Sequence, residues 1–178
     1  MKNNRIVITG GPGTGKSSIV HSLEKSGHLC IHEISRDVIL EAQKQGIQQL
    51  FLEDPLLFSK KLLEARVKQH SQTENFKAPV FLDRGIPDVP AYLDYSHTPY
   101  PDLFSEACRI YQYQQIFILP PWKDIYLNDN ERYETFEQAE TIFRHLKITY
   151  LSYGYQPVEV PRSSVEDRKN FILNNLVI

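Results

Sequence analysis

The sequence predicts an α/β fold in which five short parallel strands form a sheet sandwiched between helices. Three observations lead there. Short apolar runs alternate with longer stretches of helical periodicity, the pattern of βα units. The runs are apolar throughout rather than at every second residue, as expected when both faces of a sheet are covered. A glycine-rich segment, GGPGTGKS at 10–17, stands between the first run and the first helical stretch.

The elements follow in order. RIVIT (5–9) reads as a buried strand that runs straight into the glycines. KSSIVHSLEKSG reads as a helix with Ile19, Val20 and Leu23 on one face, ended by Gly27. LCIHE (29–33) is a second strand, and Ile34, Val38, Ile39 and Ala42 stripe a helix that stops at Gly46. Asp54-Pro55 is a helix start, with Asp as N-cap and Pro in the first turn. Leu56, Leu62, Leu63 and Val67 carry that helix to about residue 74. PVFLD (79–83) is the third strand. Four prolines make 84–101 broken helix and loop, and 102–113 is helical. QIFILP (115–120) is the fourth strand. The polar segment 121–134 reads as a mobile loop and lid. Thr135 with Gln138 is a capping box opening a helix striped by Phe136, Ala139, Phe143, Leu146 and Tyr150. PVEV (157–160) is the fifth strand, and Ser163 with Glu166 predicts the cap of a last helix.

The chain has 178 residues, which suits one domain spanning 1–178. With 41% hydrophobic and 24% charged residues and a net charge of -2, it has an ordinary globular composition, without the basic balance of a nucleic-acid binder. Cys30 and Cys108 are isolated and form neither a disulfide framework nor a zinc motif. No stretch approaches the ~20 apolar residues of a membrane helix, and the first apolar run is too short for a signal peptide. The expected location is cytoplasmic. Apolar residues of 84–113 offer a surface for a homodimer.

The glycine segment carries the chemistry. It matches G-x-x-x-x-G-K-[ST], the P-loop phosphate cradle, through Gly10, Gly15, Lys16 and Ser17. The backbone from Gly11, Pro12, Gly13 and Thr14 through Gly15 to Ser18 aims N–H groups at phosphate oxygens, aided by the positive end of the following helix. Lys16 supplies a point charge to the β- and γ-phosphates, and Ser17 a hydroxyl to Mg²⁺. Ligands of such sheets bind beyond the carboxyl ends of the strands. Asp83, ending the third strand, is either a Mg²⁺ ligand, a helix N-cap or an ion-pair partner of Arg84. Arg84 stands where many machine-type ATPases place a water-activating Glu, which favours transfer to a substrate over hydrolysis. Glu33 reads as general base and Arg36 as an anion-binding group one helical turn on, or the two form a surface ion pair. Asp88, Tyr92 and Tyr95 either line an acceptor pocket or pack. Arg132 in the lid is either a solvated arginine or the group that stabilises transferring phosphate.

The ordered set TGGPGTGKSS, HEISRDVI, FLDRGIPD, ILPPW with NDNER, and GYQPVEVPRSSVEDRKNFIL resembles the NadR/TRPL-translocation-defect type of AAA domain, small P-loop proteins laid out like nucleoside kinases. The resemblance covers nearly the whole chain. It implies a three-layer P-loop NTPase with strand order 2-3-1-4-5 and a lid. It also implies ATP with Mg²⁺ as cofactors, Lys16 and Ser17 on phosphate and metal, Asp83 as the strand-end acid, and Arg132 as the lid arginine. The turn from Pro161 to Ser163 is then expected beside adenine. Two functions follow as expectations. One is a kinase passing the γ-phosphate of ATP to a small nucleoside-like acceptor. The other is a regulatory NTP-binding protein acting through a protein or lipid partner. An N-K-x-D guanine motif is absent from the sequence.

Overall fold

The structure, a computed structural model, describes residues 4–47, 50–126 and 134–177; of Phe51 and Leu52 it describes the backbone alone. The five strands are β1 (Arg5–Gly10), β2 (Leu29–Ile31), β3 (Val80–Asp83), β4 (Gln115–Leu119) and β5 (Val158–Glu159). They pair in the order β2-β3-β1-β4-β5, every pair parallel. In register, Ile6 of β1 lies opposite Phe81 of β3, and Ile8 opposite Phe117 of β4.

Strand side chains point alternately to the two faces, so the apolar runs divide into two cores. Ile6, Ile8, Phe81, Phe117 and Leu119 pack with Ile19, Val20 and Leu23 of α1 (Lys16–Lys25) and Ile172 of α8 (Val165–Asn174). Val7, Val80, Leu82 and Ile116 pack on the opposite side. Their partners there include Leu63 of α4 (Pro55–Gln72), Val89 and Leu93 of α5 (Asp88–Tyr95), Phe104 of α6 (Leu103–Ile110) and Tyr150 of α7 (Phe136–Ser152). Helices on both faces complete the three layers. The remaining helices are α2 (Ser35–Lys44) and the short α3 (Leu50–Glu53).

Local signals set several boundaries as expected. The Asp54 carboxylate accepts from the Leu57 N–H, with Pro55 in the first turn. Thr135 and Gln138 form both halves of the capping box. One expectation needs correction. The last helix is capped by Ser164, whose hydroxyl oxygen accepts from the Asp167 N–H, one residue beyond the expected pair; the Ser163 hydroxyl is buried without a partner. The segment 84–101 holds one short helix flanked by loop, as expected; Pro90 is its third residue, and the first N–H groups of a helix need no intrahelical acceptor. Within 121–134, Lys123–Ile125 form a 3-10 turn. The large exposed apolar residues described in 84–113 are Leu103 and Ile110. No helix among the described residues is long and apolar enough to cross a membrane.

Candidate active site at the phosphate loop

The loop between β1 and α1 has the backbone that a phosphate cradle requires. Gly13 and Gly15 take φ of 69° and 83°, the left-handed region that side chains avoid. Space is short as well. A Cβ at Gly13 would lie 2.6 Å from the Tyr126 ring, and one at Gly15 would lie 3.0 Å from the Arg168 guanidinium. Arg168 reaches back from α8 to donate to the Thr14 carbonyl at 2.9 Å, and its guanidinium lies 5.7 Å from the Trp122 ring centre. The loop is therefore held from outside by residues distant in sequence.

Lys16 opens α1 and is buried. Its ammonium donates to the Gly11 carbonyl at 2.7 Å and to the Thr14 hydroxyl at 3.4 Å. Burial, and then the nearby Arg84, lower its pKa from 10.5 to about 7, against the opposing pull of Asp83, Glu33 and Asp88. Ser17 and Ser18 follow on the exposed side of the first turn.

Beside the cradle lies a network of two arginines and three carboxylates. Glu33 is two residues past the end of β2, because the strand stops at Ile31. One of its oxygens accepts from Arg66 at 2.8 Å and from the Ile34 and Ser35 N–H groups; the other accepts from Arg84 at 2.6 Å. Burial acts to raise its pKa, but Arg66, Arg84 and the Ser35 N–H outweigh it and hold the carboxyl at about 2. Arg84 also donates to Asp88 at 3.0 Å and lies 5.4 Å from the Tyr92 ring centre. Its φ of 73° puts a non-glycine residue in the left-handed region directly after β3, a strain that surrounding contacts must sustain.

Asp88 is 2% exposed and its two oxygens accept from four donors: the Thr9 hydroxyl, Arg84, the Gly85 N–H and the Tyr150 hydroxyl. Arg84 is thereby held between Asp88 and Glu33. Tyr150→Phe removes one of these buried donors. We expect a loss of about 1–3 kcal/mol, hence a Tm lower by roughly 2–10 °C in thermal denaturation.

Asp83 ends β3 and is 3% exposed. Its Oδ1 is buried with no hydrogen-bond partner, and burial raises its pKa. An orphaned carboxylate oxygen at a strand end beside the phosphate loop fits an oxygen-loving divalent cation such as Mg²⁺. Arg36 sits exposed in the first turn of α2. Pro161 is exposed just after β5, next to Arg162, whose Nε donates to the Pro121 carbonyl at 2.9 Å. Arg162, Trp122, Lys123, Asp124 and Phe136 help line a cleft of about 340 Å³. Arg132 lies outside the described residues.

Sequence reasoning missed Arg66, Arg168 and Trp122. Arg66 is 3% exposed in the middle of α4 and also donates to the Asp83 carbonyl at 3.3 Å. Its signal was faint: a basic residue one position from the apolar stripe of its helix.

The family model described as an AAA domain matches residues 5–168. No curated protein matches the sequence. Among solved structures, deoxyadenosine kinase from M. mycoides with products dCMP and dCDP superimposes with a TM-score of 0.71 at 17% identity, covering 96% of this chain and 97% of that one. NadR protein in complex with NR gives 0.71 at 16% identity, over 97% of this chain and 49% of that one. Thymidylate kinase from Ehrlichia chaffeensis gives 0.64 at 14% identity, over 96% of each chain. The fold is thus shared with these proteins, two of them kinases, and the chain belongs to the AAA-domain family.

Proposed function

We propose that this AAA-domain protein is an ATP-dependent kinase that passes the γ-phosphate to a hydroxyl of a small nucleoside-like acceptor. The observation that carries the reading is the division of labour between two strand-end carboxylates. Asp83 keeps an unpaired oxygen beside the phosphate loop, while Glu33, two residues past the end of the neighbouring strand, is held ionised by two arginines. One suits a metal and the other suits the orientation of an acceptor hydroxyl.

In this reading the loop from Gly11 to Ser18 binds the nucleotide phosphates, and the Lys16 ammonium neutralises charge on the β- and γ-phosphates. Asp83 and Ser17 are the residues that hold Mg²⁺, which when bound neutralises phosphate charge. Glu33 accepts the hydrogen bond of the acceptor hydroxyl and aims its oxygen in line. Phosphoryl transfer is loose, so little basicity is asked of that carboxylate before the proton leaves. Arg84 and Arg36 bind the acceptor or the moving phosphoryl group, and Arg132 supplies further positive charge. The turn at Pro161, with the adjoining cleft at Trp122, receives the base. Arg84, directly after Asp83, cannot activate water as a Glu there would, which favours transfer over hydrolysis.

The test is ADP release from Mg·ATP with a panel of nucleosides, nucleotides, ribosylnicotinamide and sugars, with Lys16→Ala as control. Strong stimulation by one compound class is expected and names the acceptor class. A slow basal rate that nothing stimulates, with intact nucleotide binding, would instead assign the chain to nucleotide-dependent regulation through a protein or lipid partner.

A further inference from the structure

Outside the phosphate site, His21, Glu24 and His32 stand together on the surface, their candidate ligand atoms all within 4.8 Å of one another. His21 and Glu24 are three apart on α1 and so share a face. His32 arrives from the end of β2, and its backbone carbonyl is fixed by the Gln69 side chain at 2.9 Å. Three side chains are thus presented from two anchored segments.

The hydrogen bonding orients His21 for a metal and sets His32 and Glu24 side by side. His21 Nδ1 lies 2.7 Å from the Ser17 carbonyl oxygen. A carbonyl can only accept, so Nδ1 is the donor in this contact and Nε2 is the ring nitrogen left for a metal. Metal-ligating histidines are commonly oriented in this way, by donating their other ring N–H to a backbone carbonyl. His32 Nε2 donates to Glu24 Oε1 at 3.0 Å, a hydrogen bond whose proton a metal between the two atoms would displace. Two ligands on a tetrahedral zinc, each about 2.0–2.1 Å from the metal, are about 3.3–3.4 Å apart. The His32–Glu24 pair is therefore already near chelating separation, and His21 closes the set by a side-chain adjustment. All three residues are exposed, which leaves such adjustment cheap.

From this geometry we propose that His21, Glu24 and His32 form a transition-metal site of the zinc class, with three protein ligands and an open fourth position. Two imidazoles with one carboxylate select zinc over the magnesium that an all-oxygen set prefers. The fourth position is left to water or a small anion, and His21 also lines a cleft of about 500 Å³ with Ser17, Ser18, Ser22, Lys25 and Val165. Occupancy ties the phosphate-loop helix to the residue directly before Glu33. The metal would therefore stiffen the seam between α1 and the end of β2 without entering the phosphate cradle.

The test uses the untagged full chain, stripped with chelator and titrated with Co²⁺ alone. One equivalent should bring up the visible absorption of tetrahedral cobalt, and Zn²⁺ should abolish it by displacement. Zinc at about a hundredfold over its Kd should raise Tm by about 5–10 °C. His21→Ala and Glu24→Gln should each weaken binding at least about tenfold, since even second-sphere changes cost that much. Asp83→Asn should leave the cobalt spectrum intact. Alanine suits a helix, so His21→Ala keeps the fold, which circular dichroism checks. Failure to saturate by about 1 mM metal, a millimolar Kd being only about 4 kcal/mol of binding, overturns the proposal. So does a spectrum that survives His21→Ala and is lost in Asp83→Asn.

Discussion

Lys16→Ala is expected to lower ATP-dependent transfer by at least about 10²–10³-fold, the cost of deleting one preorganised charge donor at a developing anion. The structure adds a second expectation that separates loss of chemistry from loss of fold. The ammonium is buried, and its pKa of about 7 means that the folded protein holds this proton far less tightly than the unfolded chain does. Between pH 7 and 10.5 the unfolded state binds more protons, so this group makes stability rise with pH across that window and costs most at pH 7 and below. Lys16→Met, which keeps the apolar stem, should then lose activity while Tm at pH 7 rises by a few degrees, about 2–4 °C per kcal/mol regained. Differential scanning calorimetry with the ADP-release assay reads both. A variant that loses activity and melts earlier would contradict the strained-lysine account. The same pKa sets the pH dependence of binding: the charged form attracts phosphate, so nucleotide affinity should fall as pH rises through about 7. Binding at pH 8 should take up protons, measurable by calorimetry in buffers of different ionisation enthalpy.

Glu33→Gln is expected to lower kcat by about 10²–10⁴-fold, the range for a positioned proton acceptor, with the nucleotide Kd changed less than about threefold. The amide keeps the shape but loses the charge that Arg66 and Arg84 face. Leaving charges in a buried pair uncompensated costs up to about 3–5 kcal/mol; the Glu33 side chain is 25% exposed, so the low end applies here. A modest Tm loss should therefore accompany the loss of kcat. The folded pKa of about 2 lies below the ordinary 4.5. Its stabilisation is thus complete above about pH 4.5 and lost as pH falls towards 2. Wild-type activity should show no acid limb from this residue down to about pH 4 or below. Transfer that continues at near wild-type rate in Glu33→Gln would remove this carboxylate from the mechanism and leave Asp83 as the acceptor of the proton.

The most legible features were those decided within a few residues. The phosphate loop is written as glycines whose φ values only glycine takes easily, followed by Lys16 and Ser17 at a helix start. Thr135 and Asp54 cap their helices because the acceptor and the N–H it satisfies are three residues apart. The same local reading failed at Ser163, where adjacent serines, 163 and 164, offered two caps a residue apart. Glu33 and Asp83 were singled out as strand-end carboxylates, but nothing local distinguished them.

Their environments distinguish them, and those come from elsewhere in the chain. Arg66 reaches Glu33 across 33 residues, and Arg168 reaches the Thr14 carbonyl across 154. Asp88 collects donors from β1, from the turn after β3 and from α7. The sequence by itself determined the five strands in outline, most of the helices, the phosphate loop and the set of chemical groups at the sheet rim. These depend on φ preferences, hydrophobic period and hydrogen bonds between near neighbours. Tertiary structure alone decided which carboxylate is clamped and which is left with an open oxygen, and that Lys16 sits near neutrality. A charge's energy is set by its burial and by the charges packed around it, and those neighbours are supplied by the fold.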